Sequence, residues 1–444
     1  MQYISNTLED QKEMLGAIGV PSFESLLTKI PGKLRDFKWN LPHGESELEL
    51  FRDLVEIGKK NRHFHDAACF LGAGTYDHFI PTVVDKLATR GEFITSYTPY
   101  QGEGSQGTLQ AVYEFQSLMC ELTGMDVSNA SMYDGASALA EAVLLAIRST
   151  GRSQVLVPAT LHPEYLEVIR TYTLAIDAEI MEIPCPKGVI DPAAFDKALS
   201  DKTAAVIVQQ PNFFGCLETP AVFAERAHKA GALFIACVNP ISLGVIDPPG
   251  SYGADIAVGE GQPLGNAAAF GGPHFGFFTV KNDLLRRIPG RIAGMTLDHH
   301  GRRAFVLTLQ AREQHIRREK ATSNICTNHS LCALKAAIYL SLLGPQGIRK
   351  IGFLNIENSH DAFEKLKSIR GVKPVYDQPF FNEFLIEIDR DPAKLKESLR
   401  QHHISGPLHL SRYFPDRKNQ YLIAVTENRT PREVERLAEA IEKA

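Results

Sequence analysis

The amino-acid sequence predicts an α/β protein built on a mainly parallel, doubly wound sheet. Three observations lead to this fold class. Short apolar, β-branched runs recur through the middle of the 444-residue chain, and helical patterns separate several of them. Their spacing of roughly 25–30 residues is typical of strand–helix–strand units. The runs are continuously apolar rather than alternating, so both faces of the sheet are expected to be covered.

An N-terminal helical arm is predicted over residues 1–65. The segment LEDQKEMLGAIG, which starts at Leu8, has the pattern of an amphipathic helix, and FESLLTKIP, which starts at Phe23, has that of a short second helix. The large domain follows over 66–330 and should contain six strands. These are 154–159, 178–183, 204–210, 232–238, 255–259 and 275–280.

Capping signals mark several of the helices. Asp191 and Thr219 each precede a proline, which places a capping side chain before the first helical position, and Gly231 should end the second of these helices. A smaller α+β domain is predicted over 331–444. It should contain an apolar helix that ends at Gly344, the helix DPAKLKESLRQHH, strands in FFNEFLIEID and QYLIAVT, and a last helix with a Thr430–Glu433 capping box.

Composition excludes several classes of function. The net charge is −5 and there is no long basic run, so no nucleic-acid partner is expected. No stretch approaches the ~20 apolar residues needed to cross a bilayer, so no membrane association is expected. The N-terminus is polar and acidic, which predicts a cytoplasmic protein. The cysteines and histidines lack the spacing of a zinc site, and no metal is expected.

The stretch SYTPYQGEGSQG contains the spacing G-x-G-x-x-G at Gly102, Gly104 and Gly107. Dinucleotide-binding loops with this spacing follow a buried strand, whereas the residues before Gly102 are polar and include Pro99. The helical pattern in the following TLQAVYEFQSLMCELTG is strong. We therefore interpret the glycines as an irregular loop before a helix, rather than as an NAD site.

A second helix start carries small residues. Asp134 is a predicted N-cap, and Gly135, Ala136 and Ser137 follow it, which would let a phosphate approach free N–H groups. An ordinary capped helix explains the same residues, and Asp134 would repel a phosphate. His162 follows the strand 154–159, at the sheet edge where α/β proteins bind ligands. A lone histidine at such a position is more often structural than functional.

Longer segments resemble a known family. TSYTPYQGEGSQGTLQAVYEFQ, PNFFGCLE, GADIAVGEGQPLG, FGGPHFGFF and REKATSNICTNHSL are similar to segments of the glycine cleavage system P-protein, and the resemblance covers nearly the whole chain. It is closest to the split form of the family, in which two polypeptides make up the enzyme, and within it to subunit 1. The resemblance implies a fold-type-I pyridoxal-phosphate (PLP) architecture.

The resemblance also implies a reaction and its partners. With PLP, glycine loses its carboxylate as CO2, and the aminomethyl group passes to the lipoyl arm of the H-protein. Such enzymes need a lysine that holds PLP and a carboxylate beside the pyridine nitrogen. At the matching positions this chain has Asn239 and Gln262 or Pro263, and it has no lysine between Lys229 and Lys281.

Two interpretations of this pattern remain. In the first, the chain is the subunit without PLP, and Asp134, Gly135, Ala136, Ser137, His162, Asn239 and Gln262 outline a vestigial pocket. PLP would then belong to subunit 2. In the second, the chain is a self-sufficient transaminase or decarboxylase that uses a lysine elsewhere, such as Lys320.

The resemblance assigns a role to the loop before the long helix. In fold-type-I dimers each protomer lends a loop to its neighbour's site, so Tyr97, Pro99 and Tyr100 are expected to reach the active site of the partner subunit. Packing at the interface is the alternative for both tyrosines. A chain that acts only as a scaffold for its partner is the corresponding alternative at the level of function.

Overall fold

The computed structural model describes residues 5–35, 38, 40–61, 66–269 and 271–444. The chain divides into two compact units, residues 1–62 and 63–444. The fifteen helices are α1 (Leu8–Ile18), α2 (Phe23–Leu26), α3 (Gly32–Arg35), α4 (Glu47–Gly58), α5 (Thr82–Ala88), α6 (Gly91–Ile94), α7 (Gln106–Thr123), α8 (Gly135–Thr150), α9 (Pro163–Thr173), α10 (Pro192–Ala198), α11 (Pro220–Lys229), α12 (Gln314–Arg317), α13 (Ser330–Lys367), α14 (Pro392–Gln401) and α15 (Pro431–Glu442), counted over the described residues.

The strands described in the structure belong to four sheets. They are β1 (Ala68–Cys69), β2 (Val127–Ser128), β3 (Gln154–Pro158), β4 (Glu179–Ile183), β5 (Thr203–Gln210), β6 (Leu233–Val238), β7 (Ile256–Glu260), β8 (Gly276–Val280), β9 (Ile292–Leu297), β10 (Arg303–Thr308), β11 (Val372–Pro374), β12 (Glu383–Ile388), β13 (Ile404–Ser405), β14 (Leu408–His409) and β15 (Gln420–Ala424).

The N-terminal unit contains α1 to α4. Thr7 and Asp10 form a capping box at the start of α1, and Ser46 and Glu49 form another at the start of α4. None of the described residues of this unit is buried. The predicted helix from Leu8 is confirmed, the second predicted helix is shorter than expected, and the predicted end of the arm at residue 65 lies outside the described residues.

A seven-stranded sheet forms the centre of the second unit, in the order β2-β8-β7-β6-β5-β3-β4. Neighbours from β7 to β4 pair in parallel, and β8 is antiparallel to both β7 and β2. All six strands predicted from the sequence are present, within one or two residues of their expected ends. The mainly parallel sheet is therefore confirmed, and β2 is an additional short edge strand.

Helices cover both faces of this sheet. On one face, α8 and α9 pack against alternate side chains of the strands, among them Val155, Ile207 and Val258. On the other face, α7, α10, α11 and α13 pack against the intervening side chains, among them Leu156 and Phe234. The inner strands β3, β5, β6, β7 and β8 are buried on both faces, whereas the edge strand β4 is partly exposed. The burial of both faces explains the continuous apolar runs of the inner strands.

The capping predictions for Asp191 and for the C-terminal helix are confirmed, and α11 ends at Lys229, shortly before Gly231 with its positive φ of 73°. Asp191 accepts hydrogen bonds from the amides of Ala193 and Ala194, and Thr430 and Glu433 form the expected capping box. The prediction for Thr219 is wrong in one respect, because α11 begins at Pro220 but the Thr219 side chain makes no capping hydrogen bond. The backbone angles of Thr219 (φ −110°, ψ 70°) lie outside the usual N-cap geometry.

Helix α13 connects the seven-stranded sheet to the C-terminal part of the unit. It is interrupted at Gly344 (φ 59°), before Pro345, so the apolar helix ends where the sequence predicts it. A second helical segment continues to Lys367, which the sequence analysis missed. By length and composition alone α13 could cross a membrane, but Cys332, Ala336 and other residues of its first half are buried in the protein core.

The C-terminal part contains a four-stranded antiparallel sheet in the order β11-β12-β15-β14. The end of α13 packs on it together with α14 and α15. The helix predicted over 391–403 is present as α14, and the strands predicted in 380–389 and 420–426 are present as β12 and β15. The domain boundary at residue 330 stays a proposal, and α13 begins at that residue.

Candidate functional site

The candidate site is a cleft at the carboxyl ends of β5, β6 and β7, which we call the edge cleft. Asn239 follows β6, Glu260 ends β7, and Glu383 begins β12 on the other side. The N-terminus of α8 points at the same edge, since the Gly135 amide contacts Glu260. Parallel strands bring their carboxyl ends together, and α/β proteins bind ligands there.

The start of α8 is occupied by carboxylates of this chain. Asp134 accepts from the Ser137 amide at 2.7 Å, and the Ser137 hydroxyl closes a capping box. The Gly135 amide donates to Glu260 Oε2 at 3.0 Å. A helix N-terminus is a natural anion site. Here Glu260 supplies the anion from within the chain, at the position where the sequence analysis considered a phosphate.

Glu260 is itself held in place. Its Oε1 accepts from the Gln262 amide at 2.9 Å, and Nδ1 of His274 lies 3.4 Å from Oε2. The hydrogen bond to Glu260 raises the pKa of His274 above its ordinary value. Only 8% of Glu260 is exposed. The carboxylate is therefore a buried, fully engaged part of the fold, because a buried charge needs such partners.

Gln262 is one of the two residues, with Pro263, at which the family resemblance places the PLP lysine. Its Oε1 accepts from the Tyr76 amide at 3.0 Å, and its Nε2 donates to the carbonyl oxygens of Tyr76 and Asn266. The side chain is buried. Gln262 thus fastens residues 73–76 into the edge cleft, which is a structural role.

His162 is buried and packs against aromatic rings. Its Nδ1 accepts from the Glu164 amide at 3.2 Å, so Nε2 carries the hydrogen and donates to the Ala73 carbonyl at 2.9 Å. The ring stacks on Tyr165, with centroids 4.6 Å apart. Burial lowers the pKa of His162. Tyr165 therefore covers one face of the His162 ring.

Asn239 also makes a local contact. Its Oδ1 accepts from the Ile241 amide at 3.0 Å, which closes a turn immediately after β6. The residue lines the edge cleft. Its amide cannot provide the negative charge that a protonated pyridine nitrogen requires.

Glu383 and Tyr76 are among the residues of the edge cleft that the sequence analysis missed. Glu383 accepts from the Ala73 amide at 2.7 Å and from the Tyr76 hydroxyl at 2.8 Å. Burial raises the pKa of Glu383 to about 7, although both hydrogen bonds oppose the shift. No local pattern in the sequence connects these partners, which are separated by about 310 positions along the chain.

PLP does not fit the edge cleft. The remaining cavity is about 30 Å³, close to the volume of one water molecule, whereas ligand pockets measure about 300–1,000 Å³. The residues that line it in the described part of the chain include no lysine. Lys320, the alternative considered from the sequence, is exposed and does not line the cleft.

The stretch with the glycine pattern lies elsewhere. Residues 96–105, which we call the tyrosine loop, contain a short 3-10 turn at Gly102–Gly104, and α7 begins at Gln106. No strand precedes the turn within residues 91–101. The irregular loop before a helix is therefore what the structure contains, and the strand that a dinucleotide site needs is missing.

The two tyrosines of this loop differ in exposure and contacts. Tyr97 is 87% exposed, Tyr100 is 51% exposed, and Pro99 between them is buried. Tyr97 and Pro99 line an apolar groove together with Phe93 and Leu331. The Tyr100 hydroxyl accepts from Arg291 at 3.0 Å. Neither tyrosine lines the edge cleft of its own chain.

Comparisons with known proteins place this architecture. Residues 1–441 match the family model described as glycine cleavage system P-protein. The chain belongs to the glycine cleavage system P-protein family. It is 50% identical over 438 residues to a probable glycine dehydrogenase (decarboxylating) subunit 1 of Desulfitobacterium hafniense, with 98% of each chain covered. It is 48% identical to a protein of the same description from Carboxydothermus hydrogenoformans, with 99% of each covered.

Solved structures agree with the family. A crystal structure of glycine decarboxylase (P-protein) of the glycine cleavage system, in inhibitor-bound form, superposes with a TM-score of 0.91 at 45% identity and covers 100% of this chain and 99% of its own. The sphingosine-1-phosphate lyase of Burkholderia pseudomallei superposes with a TM-score of 0.66 at 14% identity, covering 92% and 93%. The latter likeness shows the fold alone, which is that of the fold-type-I PLP-dependent enzymes.

Proposed function

We propose that this P-protein-family chain is the subunit of a two-chain glycine decarboxylase that does not hold PLP. The observation that carries the proposal is the closed edge cleft, in which Glu260, Gln262 and Glu383 fill the space with mutually satisfied groups. The partner, subunit 2, would supply the lysine and hold PLP. The printed names of the relatives, which end in "subunit 1", support the existence of that partner.

The assembled enzyme would decarboxylate glycine and transfer the aminomethyl group to the lipoyl arm of the H-protein. In such an enzyme the present chain would contribute residues at the interface with its partner and would not hold the cofactor. Tyr97, Pro99 and Tyr100 are the groups that it would offer to the site of the partner, because they lie outside its own cleft. A tyrosine has a flat apolar body with a polar tip, which suits the wall of a small-substrate site.

The proposal excludes catalysis by the isolated chain. A self-sufficient PLP enzyme would need room for the cofactor and a lysine at the edge cleft, and the described residues provide neither. A scaffold role differs only in the tyrosine loop, which would then serve packing alone. We further propose a cytoplasmic enzyme that binds neither nucleic acid nor membrane, in keeping with its balanced charge.

The test is reconstitution with subunit 2. The isolated chain, the isolated partner and the co-expressed complex are each incubated with PLP, reduced with borohydride and mapped by mass spectrometry. We expect pyridoxyl-lysine on the partner only, and exchange of the glycine carboxyl with labelled bicarbonate by the complex only. A pyridoxyl-lysine on the present chain would overturn the proposal. Full exchange by a complex that lacks both tyrosine hydroxyls would leave the scaffold role.

A further inference from the structure

Arg291 is a buried residue that contacts Tyr100 of the tyrosine loop. It precedes β9, and 7% of its side chain is exposed. One terminal nitrogen donates to the Tyr100 hydroxyl at 3.0 Å, and the centre of the guanidinium lies 5.2 Å from the Tyr100 ring centroid. A single buried group therefore contacts both the polar tip and the face of this tyrosine. Such double contact restricts the ring more than one hydrogen bond does.

Arg291 is itself held by a buried carboxylate. Its Nε lies 3.6 Å from Glu313 Oε2, and 8% of the Glu313 side chain is exposed. Arg312 donates to the carbonyl oxygens of Ile288 and Gly290, directly before Arg291. The Nδ1 of His315 lies 3.6 Å from the same Glu313 oxygen, and the His315 ring lies 5.8 Å from that of Tyr100. The cluster thus contains two arginines, one histidine and one carboxylate. Its excess of positive charge favours an anion nearby, because buried charges are stable only when they are paired.

The hydrogen bond between Arg291 and Tyr100 has a fixed direction. A guanidinium has only N–H donors, so the Tyr100 oxygen must accept. The proton of the phenol therefore points to another group. No second partner of this hydroxyl occurs among the described residues, and half of the Tyr100 side chain is exposed. The hydroxyl is consequently a positioned donor that faces outward.

Tyr97 provides a contrast within the same loop. It is almost completely exposed, and the described part of the chain offers its hydroxyl no hydrogen-bond partner. Its hydroxyl can donate or accept, in any direction that the side chain adopts. The direction of the Tyr100 hydrogen bond is thus fixed by Arg291, since Tyr97 in the same loop has no such constraint.

We propose that Tyr100 donates its hydrogen bond to an anionic oxygen in the active site of the partner subunit, and that Arg291 is the positioning residue for this contact. The inference rests on the proposed function of the tyrosine loop. Two groups there would provide an anionic oxygen, the carboxylate of glycine and the phosphate of PLP. Either acceptor suits a donor that lies beside an excess of positive charge.

The first experiment is a pair of double-mutant cycles on the reconstituted complex. Tyr100→Phe should lower kcat/KM for glycine roughly threefold to a hundredfold. Arg291→Lys keeps the charge for Glu313, but one ammonium cannot occupy both guanidinium positions. We expect Arg291→Lys to cost several-fold alone and little in the Tyr100→Phe background. In the Tyr97→Phe background, Arg291→Lys should lower kcat/KM by the same factor as it does in the wild-type complex. An equal fold-loss of kcat/KM for Arg291→Lys in the Tyr100→Phe and Tyr97→Phe backgrounds would overturn the positioning role.

The same complexes distinguish the two acceptors. If Tyr100 contacts the glycine carboxylate, Tyr100→Phe raises KM for glycine and leaves the dissociation constant of PLP, titrated without glycine, unchanged. If it contacts the phosphate, the dissociation constant of PLP rises. Both outcomes support an anionic acceptor. An unchanged KM, kcat and PLP dissociation constant in complexes of normal size would refute it.

A second measurement does not depend on activity. Hydrogen exchange of residues 96–101 in the isolated chain should accelerate in Arg291→Lys, because the loop loses its support. Arg303→Lys is the matched control, since Arg303 is an exposed arginine over the Phe305 ring of the adjacent hairpin. Unchanged exchange in Arg291→Lys would refute the positioning role even if the proposed function holds. Faster exchange combined with full activity of Tyr100→Phe would instead refute the loop's part in that function.

Discussion

The polar groups of the edge cleft are hydrogen-bonded within the chain, whereas those of the tyrosine loop are largely open to other molecules. In the edge cleft, Glu260, Gln262 and Glu383 bond to other groups of the same chain and leave room for about one water molecule. In the tyrosine loop, Tyr97 is exposed, and the proton of Tyr100 faces outward. Buried polar groups must find partners within the fold, whereas exposed ones remain available. The polar groups of the edge cleft therefore stabilise the fold, whereas those of the tyrosine loop can still contact other molecules.

The largest expected effect concerns PLP itself. Asn239→Asp restores the charge that would pair with a pyridine nitrogen, but Gln262 and the small cavity remain. We expect no covalent PLP after borohydride reduction, and on titration only the spectrum of free PLP, for both the wild-type chain and this variant. The lysine-bearing partner, treated in parallel, is the positive control. Saturable PLP binding by Asn239→Asp would show that the edge cleft is less closed than the structure indicates.

The second prediction concerns pH. Burial raises the pKa of Glu383 to about 7 from an ordinary 4.5, a difference worth on the order of 3 kcal/mol. The folded state binds the proton more tightly, so this contribution to stability is complete below about pH 4.5 and is lost as the pH rises through about 7. Glu383→Gln resembles the protonated side chain and should remove this loss.

The measurement is urea unfolding of the isolated chain between pH 4.5 and 8. The free energy of unfolding of wild type should fall relative to that of Glu383→Gln across this range. Glu218→Gln is a useful comparison, because burial also raises the pKa of Glu218 to about 7 and its partners are different. Parallel curves for wild type and Glu383→Gln would contradict the assigned shift.

The third prediction compares glycines at two helix starts. A Cβ added at Gly135 would lie 2.7 Å from the Glu260 amide nitrogen and 2.7 Å from the Tyr165 hydroxyl. We therefore expect Gly135→Ala to reduce the free energy of unfolding by about 1–3 kcal/mol. Gly107, at the start of α7, has no atom within 4 Å of such a Cβ. Gly107→Ala should be neutral or stabilising by up to about 1 kcal/mol. Equal thermal shifts for the two variants would refute the close packing at Glu260.

The smallest effect is expected in the tyrosine loop. Tyr97→Phe removes an exposed hydroxyl without a partner among the described residues, so the stability of the isolated chain should stay within about 0.5 kcal/mol of wild type. Tyr76→Phe is the matched variant in the edge cleft. It removes the hydrogen bond to Glu383 at 2.8 Å and should cost about 1–3 kcal/mol. Thermal unfolding of the two variants is the measurement. A similar loss of stability in both would contradict the difference between the edge cleft and the tyrosine loop.

Local patterns in the sequence account for much of the fold. The six strands from β3 to β8 lie within one or two residues of their predicted ends, because each is a short apolar run between turn signals. The hairpin of β9 and β10 and the second part of α13 were missed. β9 and β10 have mixed burial, and Pro345 marks a break after which the helix resumes.

The sequence predicted which residues lie near the edge cleft, but it did not predict the contacts that their side chains make. Asp134, His162, Asn239 and Gln262 follow or precede regular elements, and parallel strands bring such positions to one edge. The partners that close the cleft come from distant segments. Tyr76 lies 186 residues from Gln262 and 307 from Glu383, separations at which no periodic pattern operates.

By itself, the sequence determined the strands, most of the helices and the lack of a lysine between residues 229 and 281, because these are properties of single segments. Only the tertiary structure decided what fills the edge cleft and which way the Tyr100 hydroxyl points. Glu260 reaches the start of α8 across 125 residues, and Arg291 reaches Tyr100 across 191. Hydrogen-bond direction depends on which groups meet in space, and that is set by the packing of the whole chain.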